Sequence, residues 1–370
     1  MKLSQLGFLF DWEVWRWVFQ HLSGRHEPTY KNPPWRREAR SGVIILATVI
    51  ALLASGCARK DSARPGPVLS KEAERKVILQ TDWFPQGEHG GYYQALAKGY
   101  YLEEGLDVEI WPGGPGAGIK LKVARGDAHF GMDRSDNVIL AAANGLPFVM
   151  VAATMQHDAQ GLMVHAESPV KTFQDLDGRV VIGNVGMAWF PYLEKRFGIK
   201  IERRQNTYGL GEFLANPETI QQCLITNEPF FAEKNGRKVR TLTLSSAGYD
   251  CYQSVFTRRD FIRTSPELVR AFVHASIRGW RDYLDGDPGP ANAIILQRNR
   301  EMTPELLKFS RDEMIRHKFV RGDPAKGEDI GQISLERLAH EMNELVSLKI
   351  LPAPIEITSV ATTEFLPLRR

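Results

Sequence analysis

The sequence predicts an α/β protein of two lobes, each a mixed sheet flanked by helices, with the chain crossing twice between them. Three observations predict it. At 370 residues the chain is too long for one small domain, and two lobes are the natural division. From Val77 to Ala153 short apolar strands alternate with helical stretches, the mark of a largely parallel sheet covered by helices. That alternation breaks at Met155-Gln156-His157-Asp158-Ala159-Gln160, and a later strand, Tyr252 to Thr257, carries the chain back. The expected extents are 76–160 and 258–370 for the first lobe and 161–257 for the second. A leader over 1–57 and a tether over 58–75 precede them.

Each element has a local reason. Val77 to Thr81 is an apolar run that reads as a buried strand, stopped by Pro85. Glu88-His89-Gly90-Gly91 reads as a polar, conformationally free turn into a helix from Tyr92 to Lys98, closed by Gly99. Leu106 to Trp111 is the next strand, and it runs into Pro112-Gly113-Gly114-Pro115-Gly116. The proline interrupts that loop and no acidic partner follows at the expected place, so it is a turn and not a dinucleotide-binding motif. Ala117 to Ala124 reads as a helix offering Ile119, Leu121 and Val123 to a core. Ser135 to Ala143 is a further helix, capped by Ser135 or Asp133 and stopped by Asn144-Gly145, before the strand Phe148 to Ala153.

In the second lobe the strands are Gly161 to His165, Val180 to Gly183, Cys223 to Thr226 and Val239 to Leu244. Thr172-Phe173-Gln174-Asp175 has capping-box spacing, and Met187 to Phe197 is a helix closed by Gly198. From Thr264 onward the chain is mostly helical. Pro266 opens a helix whose inward stripe is Val269, Phe272, Val273, Ile277, Trp280 and Leu284. Thr303-Pro304 and Ser334 open two more.

Charge and cysteine usage narrow the function classes. Residues 1–56 hold seven Lys/Arg against four Asp/Glu, which accounts for the whole net charge of +3 and leaves the body formally neutral. Nothing in that balance supports nucleic-acid binding. Arg36, Arg37 and Arg40 precede an apolar run from Val43 to Ala54, too short for a comfortable membrane span and suited to a signal-peptide core. The run ends Leu53-Ala54-Ser55-Gly56-Cys57, which resembles a bacterial lipobox with Cys57 as the lipidated residue; Ala54 stands where leucine is commoner. The tryptophan-rich stretch before it is either a misassigned start or a genuine extension. Cys223 and Cys251 remain, as a disulfide pair of an exported protein or as two free thiols, and no Cys/His set has structural-zinc spacing.

Asp82-Trp83, Pro85, His89, Tyr93 and Lys98-Gly99-Tyr100 through Ile110 agree in order and spacing with one family's opening. The chain resembles the NMT1/THI5-like, or nitrate/sulfonate/taurine-type, substrate-binding proteins of ABC importers. The likeness extends to about Pro352 through Arg125-Gly126-Asp127-Ala128, Gly145-Leu146-Pro147 and Glu228-Pro229-Phe230. It implies a two-lobed periplasmic-binding-protein fold of type II with two hinge crossovers, closing over a ligand without catalysis or cofactor. It further implies permease and ATPase partners and a lipid anchor facing the periplasm.

Loops at the C-terminal ends of the strands are where such sheets bind small molecules. The polar and aromatic residues there are Asp82, Trp83, Glu88, His89, Tyr92, Tyr93, Asp133, Asn137, Gln156 and His157 from the first lobe. Asn184, Trp189, Tyr208 and Glu228 come from the second. Trp83 reads as a stacking platform or a core residue, and the resemblance favours the platform. It likewise places His89 beside the pocket. Of Tyr92 and Tyr93, on different helix faces, one is expected in the core and one in the cleft. Asp133 is a ligand acceptor or a helix cap, and Glu228 an acceptor for an amino group or a cap for the helix at Pro229. Trp189, one turn into its helix, is the second lobe's leading aromatic candidate.

Acids, amides and rings with few cations suit a neutral or weakly cationic heteroaromatic carrying amino groups, such as a thiamine pyrimidine precursor. A nitrate, sulfonate or taurine ligand is the alternative, and it asks for Lys/Arg or a bare helix N-terminus. A pyrimidine synthase of the same superfamily is a third reading, in which His89 falls at the reactive histidine. The cysteine-rich iron motif of those enzymes is missing, since Tyr249-Asp250-Cys251-Tyr252 holds one cysteine. No metal site is expected.

Overall fold

The structure, a computed structural model, describes residues 75–367. The leader, Cys57 and nearly all of the tether lie outside the described residues. Among the described residues no helix is long and apolar enough to cross a membrane.

The first sheet begins with β1 (Arg75–Gln80), followed by α1 (Gly90–Ala97), α2 (Tyr100–Glu103) and β2 (Leu106–Trp111). Then come α3 (Ile119–Arg125), β3 (Phe130–Arg134), α4 (Ser135–Ala143) and β4 (Phe148–Met155). A crossing leads to β5 (Gln160–His165), β6 (Val180–Gly183), α5 (Trp189–Phe197), β7 (Glu202–Gln205), α6 (Gly211–Ala215), β8 (Ile220–Leu224), α7 (Glu228–Lys234) and β9 (Val239–Thr243). The chain then returns as β10 (Gln253–Arg258) and ends in α8 (Arg259–Thr264), α9 (Pro266–Asp285), α10 (Gly289–Arg298), α11 (Pro304–Arg316) and α12 (Leu335–Ser347).

Two five-stranded sheets result, in the orders β2-β1-β3-β10-β4 and β7-β6-β8-β5-β9. Both are mixed. β1 runs parallel to β2 and β3 while β10 lies antiparallel between β3 and β4; β6 runs parallel to β7 and β8 while β5 is antiparallel to β8 and β9. This is the α/β two-lobed fold that the sequence predicts. The open edge of β4 is covered by the C-terminal segment: Met150 N–H donates to the Val360 carbonyl (2.7 Å) and Thr362 N–H to that of Met150 (3.0 Å).

The stripe on α9 is buried at every predicted position, and Phe272 stacks on Phe130 of β3 with centroids 4.1 Å apart. Gly90 and Gly91 are not a free turn. They open α1, and a Cβ on Gly91 would lie inside the Trp280 ring, while one on Gly279 would meet the Gly91 carbonyl. The glycines are there because α1 and α9 touch backbone to backbone. Leu121 is 58 % exposed instead of buried: Ile119 and Val123 are four residues apart on one helical face, and a residue midway between them points to the other side. The Thr172–Asp175 capping box forms, and Thr303 and Ser334 accept from Leu306 N–H and Arg337 N–H. Cys223 and Cys251 are separate free thiols, both buried.

Candidate ligand-binding cleft

Two adjoining chambers lie where the loops of the two sheets face each other. The inner one, of about 120 Å³, is lined by Asp82, Gln86, Glu88, His89, Asp133, Arg134, Asp158 and Gln253, among others. The outer one, of about 240 Å³, is lined by Trp83, Asn184, Asn206, Tyr208, Gln222, Asn227 and Glu228. Asp82, Gln86, Gln160 and Leu224 border both, so the two form one cleft.

At the inner end the Asp82 carboxylate, just past β1, is held from two sides. His89 Nε2 sits 2.8 Å from Oδ1, and Gln253 Nε2 at the start of β10 donates to Oδ2 (2.7 Å). His89 is 1 % exposed and its Nδ1 has no partner. Glu88 is buried and accepts from the Thr226 hydroxyl of the second lobe; burial pushes its carboxyl up. Burial also raises Asp133, which pairs with Lys120 (2.7 Å) and accepts from Asn137 Nδ2 and Arg134 N–H, each at 2.8 Å. Arg134 is the one arginine in either lining. Its guanidinium pairs with Asp136 (3.3 Å) and Asp158, and these hold it above its ordinary value against the pull of burial.

The outer chamber is walled by aromatic rings. Trp83 and Tyr208 face each other with centroids 5.3 Å apart and planes tilted 46°. Tyr208 has φ +63°, a left-handed backbone unusual for a bulky residue, fixed by its N–H on Asn206 Oδ1 (2.8 Å). Its hydroxyl donates to Asn184 Oδ1 (3.1 Å), Asn184 N–H donates to Gln222 Oε1 (2.8 Å), and Gln222 Nε2 donates to Gln160 Oε1 (2.9 Å). Glu228 accepts Leu224 N–H (2.7 Å), and burial pushes its carboxyl up to about 7. Beside it Asn227 Oδ1 is buried without a partner.

Asp82, Trp83, Glu88, His89, Asp133, Asn184, Tyr208 and Glu228 therefore line the cleft. Six other sequence candidates do not: Asn137, whose amide is spent on Asp133, His157, held between Asp250 and Glu328, and four more. Tyr92 packs against Phe272 and Trp280 with its hydroxyl on Thr154, and Tyr93 is fully buried with the Arg298 guanidinium 5.6 Å from its ring centre. Both faces of α1 are covered, by the sheet and by α9 and α10, so neither tyrosine is left for the cleft. Trp189 is fully buried, stacked on Phe190 at 3.7 Å and packed under Gly183, because the first turn of α5 lies on β6. Gln156 turns the other way: its Nε2 donates to the Gln332 carbonyl (2.9 Å), and it borders a groove with Tyr252 and Arg337. Sequence reasoning missed Asp158, Gln160, Gln222, Asn206, Asn227 and Gln253. The available signal was polar residues at strand ends beside the crossings.

The crossings themselves are tied by charge. His157 Nδ1 lies 2.7 Å from Asp250 and its Nε2 3.0 Å from Glu328, while Arg337 reaches the same two acids at 3.2 and 3.7 Å. The Asp250 hydrogen bond, more than the nearby charges, raises the His157 imidazole. Asp136, Cys251 and Glu341 bring potential metal-ligand atoms within 4.8 Å of one another near the second crossing. Their oxygens are already engaged: Tyr249 and Arg134 on Asp136, Ser135 on Glu341.

Comparison with known proteins agrees with this architecture. The formylaminopyrimidine-binding protein of Halalkalibacterium halodurans is 24 % identical over 259 residues, 66 % of this chain and 77 % of its own length. The riboflavin-binding protein RibY of Chloroflexus aurantiacus is 24 % identical over 356 residues, 88 % of this chain and 97 % of its own. A 4-amino-5-hydroxymethyl-2-methylpyrimidine phosphate synthase of Legionella pneumophila is 23 % identical over 79 % of this chain and 92 % of its own. Among solved structures, the periplasmic aliphatic sulphonate-binding protein SsuA of Escherichia coli superposes with TM-score 0.58 at 14 % identity, covering 76 % of this chain and 96 % of that one. The NMT1/THI5-like description matches residues 86–288, more than half of the chain, and the protein belongs to that family.

Proposed function

We propose that this protein is the substrate-binding subunit of an ABC importer, capturing a small, flat, amino-bearing heteroaromatic molecule and handing it on unchanged. The Trp83–Tyr208 pair carries the reading: two rings, one from each lobe, meet across a chamber rich in acceptors. A ring slotted between them needs about 7 Å between centroids, twice an aromatic contact distance, so the 5.3 Å seen here must widen by hinge motion. Asp82, Glu228 and the amide chain from Asn184 to Gln160 suit ring-borne N–H groups. A sulfonate or nitrate suits the lining less well, because Arg134 is committed to Asp136 and Asp158.

Relatives named for formylaminopyrimidine and riboflavin, both flat heterocycles, support the same class. Export through residues 1–57, with lipidation at Cys57, would hold the lobes on the periplasmic side of the membrane, where they can dock on a permease driven by an ATPase on the opposite side. The synthase reading is weaker: Cys251 stands alone in sequence and is buried beside Glu341, outside the cleft lining.

A thermal-shift screen of the purified protein against pyrimidine precursors, flavins, sulfonates and nitrate tests the reading. A ligand at a hundred times its Kd adds roughly 2.7 kcal/mol. Shifts with heterocycles are expected; shifts with anions alone would refute it.

A further inference from the structure

Two polar atoms of the cleft are buried and unanswered: His89 Nδ1 in the inner lining and Asn227 Oδ1 in the outer. Their chemistry follows from their neighbours. An ionised carboxylate only accepts, so Asp82 Oδ1, 2.8 Å from His89 Nε2, requires the proton to sit on Nε2. Gln253 fills the other Asp82 oxygen and keeps the carboxylate from turning away. In the neutral ring Nδ1 then keeps its lone pair, as an acceptor in a residue 1 % exposed. Asn227 Oδ1 is likewise an acceptor. Leaving a buried polar atom unpaired is costly, and such atoms in a native protein ask for a partner that binding supplies.

We propose that His89 and Asn227 set the specificity of this cleft, each taking a hydrogen bond from an N–H of the ligand. The protein then selects heterocycles that direct an exocyclic amino group at one of these acceptors and a second N–H at the other, and rejects counterparts in which that amino group is replaced by an oxo group. An oxo group sets one lone pair against another, where an amino group forms a bond. This inference rests on the heteroaromatic reading above and adds the donor pattern to it. Asp82 and Gln253 fix the His89 tautomer before any ligand arrives.

Two paired probes test it by calorimetry on the whole protein: cytosine against uracil, and adenine against hypoxanthine. The amino member of each pair is expected to bind at least about fivefold more tightly, the lower end of what an unanswered buried acceptor costs. In His89→Phe and Asn227→Ala the amino-to-oxo ratio should fall toward one, whereas a merely structural role would weaken both members alike. Independently of any ligand, nitrogen NMR of the histidine rings at about pH 8 should show His89 protonated on Nε2 and bare at Nδ1. Equal binding of the two members of each pair, or a proton on Nδ1, overturns the inference while leaving the aromatic cleft intact. If no flat ring binds at all, the heteroaromatic reading fails and this inference fails with it.

Discussion

Glu228→Gln should make the protein more stable, and only above about pH 4.5. Burial raises the Glu228 carboxyl from an ordinary 4.5 up to about 7. Between those two values the folded protein keeps a proton that the unfolded chain has lost, so stability falls as pH rises through that window. At 1.36 kcal/mol per pKa unit the loss amounts to at most about 3 kcal/mol, less to the extent that solvent reaching the cleft screens the charge. Glutamine carries no such loss and can still accept the Leu224 N–H through its amide oxygen. Urea unfolding followed by tryptophan fluorescence across the pH range should therefore give curves for wild type and variant that nearly coincide below about 4.5 and diverge up to about 7. Subtracting one from the other removes Glu88 and Glu341, whose carboxyls are also raised by burial. Curves that stay parallel throughout would mean that Glu228 ionises freely, and the picture of a dry acceptor beside Asn227 would be wrong.

Other changes separate the parts of the site. Trp83→Ala should weaken a heteroaromatic ligand by about 1–3 kcal/mol in calorimetry, the usual worth of one stacking face; unchanged affinity would remove Trp83 from the site. Tyr208→Gly should relieve about 1 kcal/mol of left-handed backbone strain while also weakening that ligand, and a drop in stability would show that the ring's packing matters more than its φ of +63°. Arg134→Met strands Asp136 and Asp158 in the interior and should cost about 3–5 kcal/mol in urea unfolding; near-neutral stability would contradict the buried ion pairs. His157→Gln should cost stability chiefly at low pH. The raised His157 imidazole stabilises the fold fully below its ordinary 6.5, and the benefit disappears as pH climbs through the higher folded value. A wild-type-to-variant gap that widens with pH would reverse that sign.

Most strands and helices were legible because each depends on a short local pattern, whereas β7, four exposed polar residues, shows none. The α9 face and the Thr172 capping box are examples of such a pattern. The cleft was legible where a residue lies at or just past the end of a strand, as Trp83, Asp133 and Asn184 do, and where a family motif marked it, as at His89 and Glu228. Tyr92, Tyr93 and Trp189 were misplaced because helix position fixes a face but not what covers it, and α1 turned out to be covered on both sides. Gln253 and Asn227 were illegible for a different reason. The role of Gln253 depends on a partner far along the chain, Asp82, and that of Asn227 on a buried side-chain oxygen that the fold leaves unpaired.

The place of β10 has a consequence for how the molecule comes to exist. It lies between β3 and β4, so the first sheet is split in two until residue 253 and its successors have been made, and Met150 waits longer still for Val360. Pairings of such long sequence separation form slowly. A chain held back in this way cannot close its first sheet until more than two thirds of its length has been synthesised.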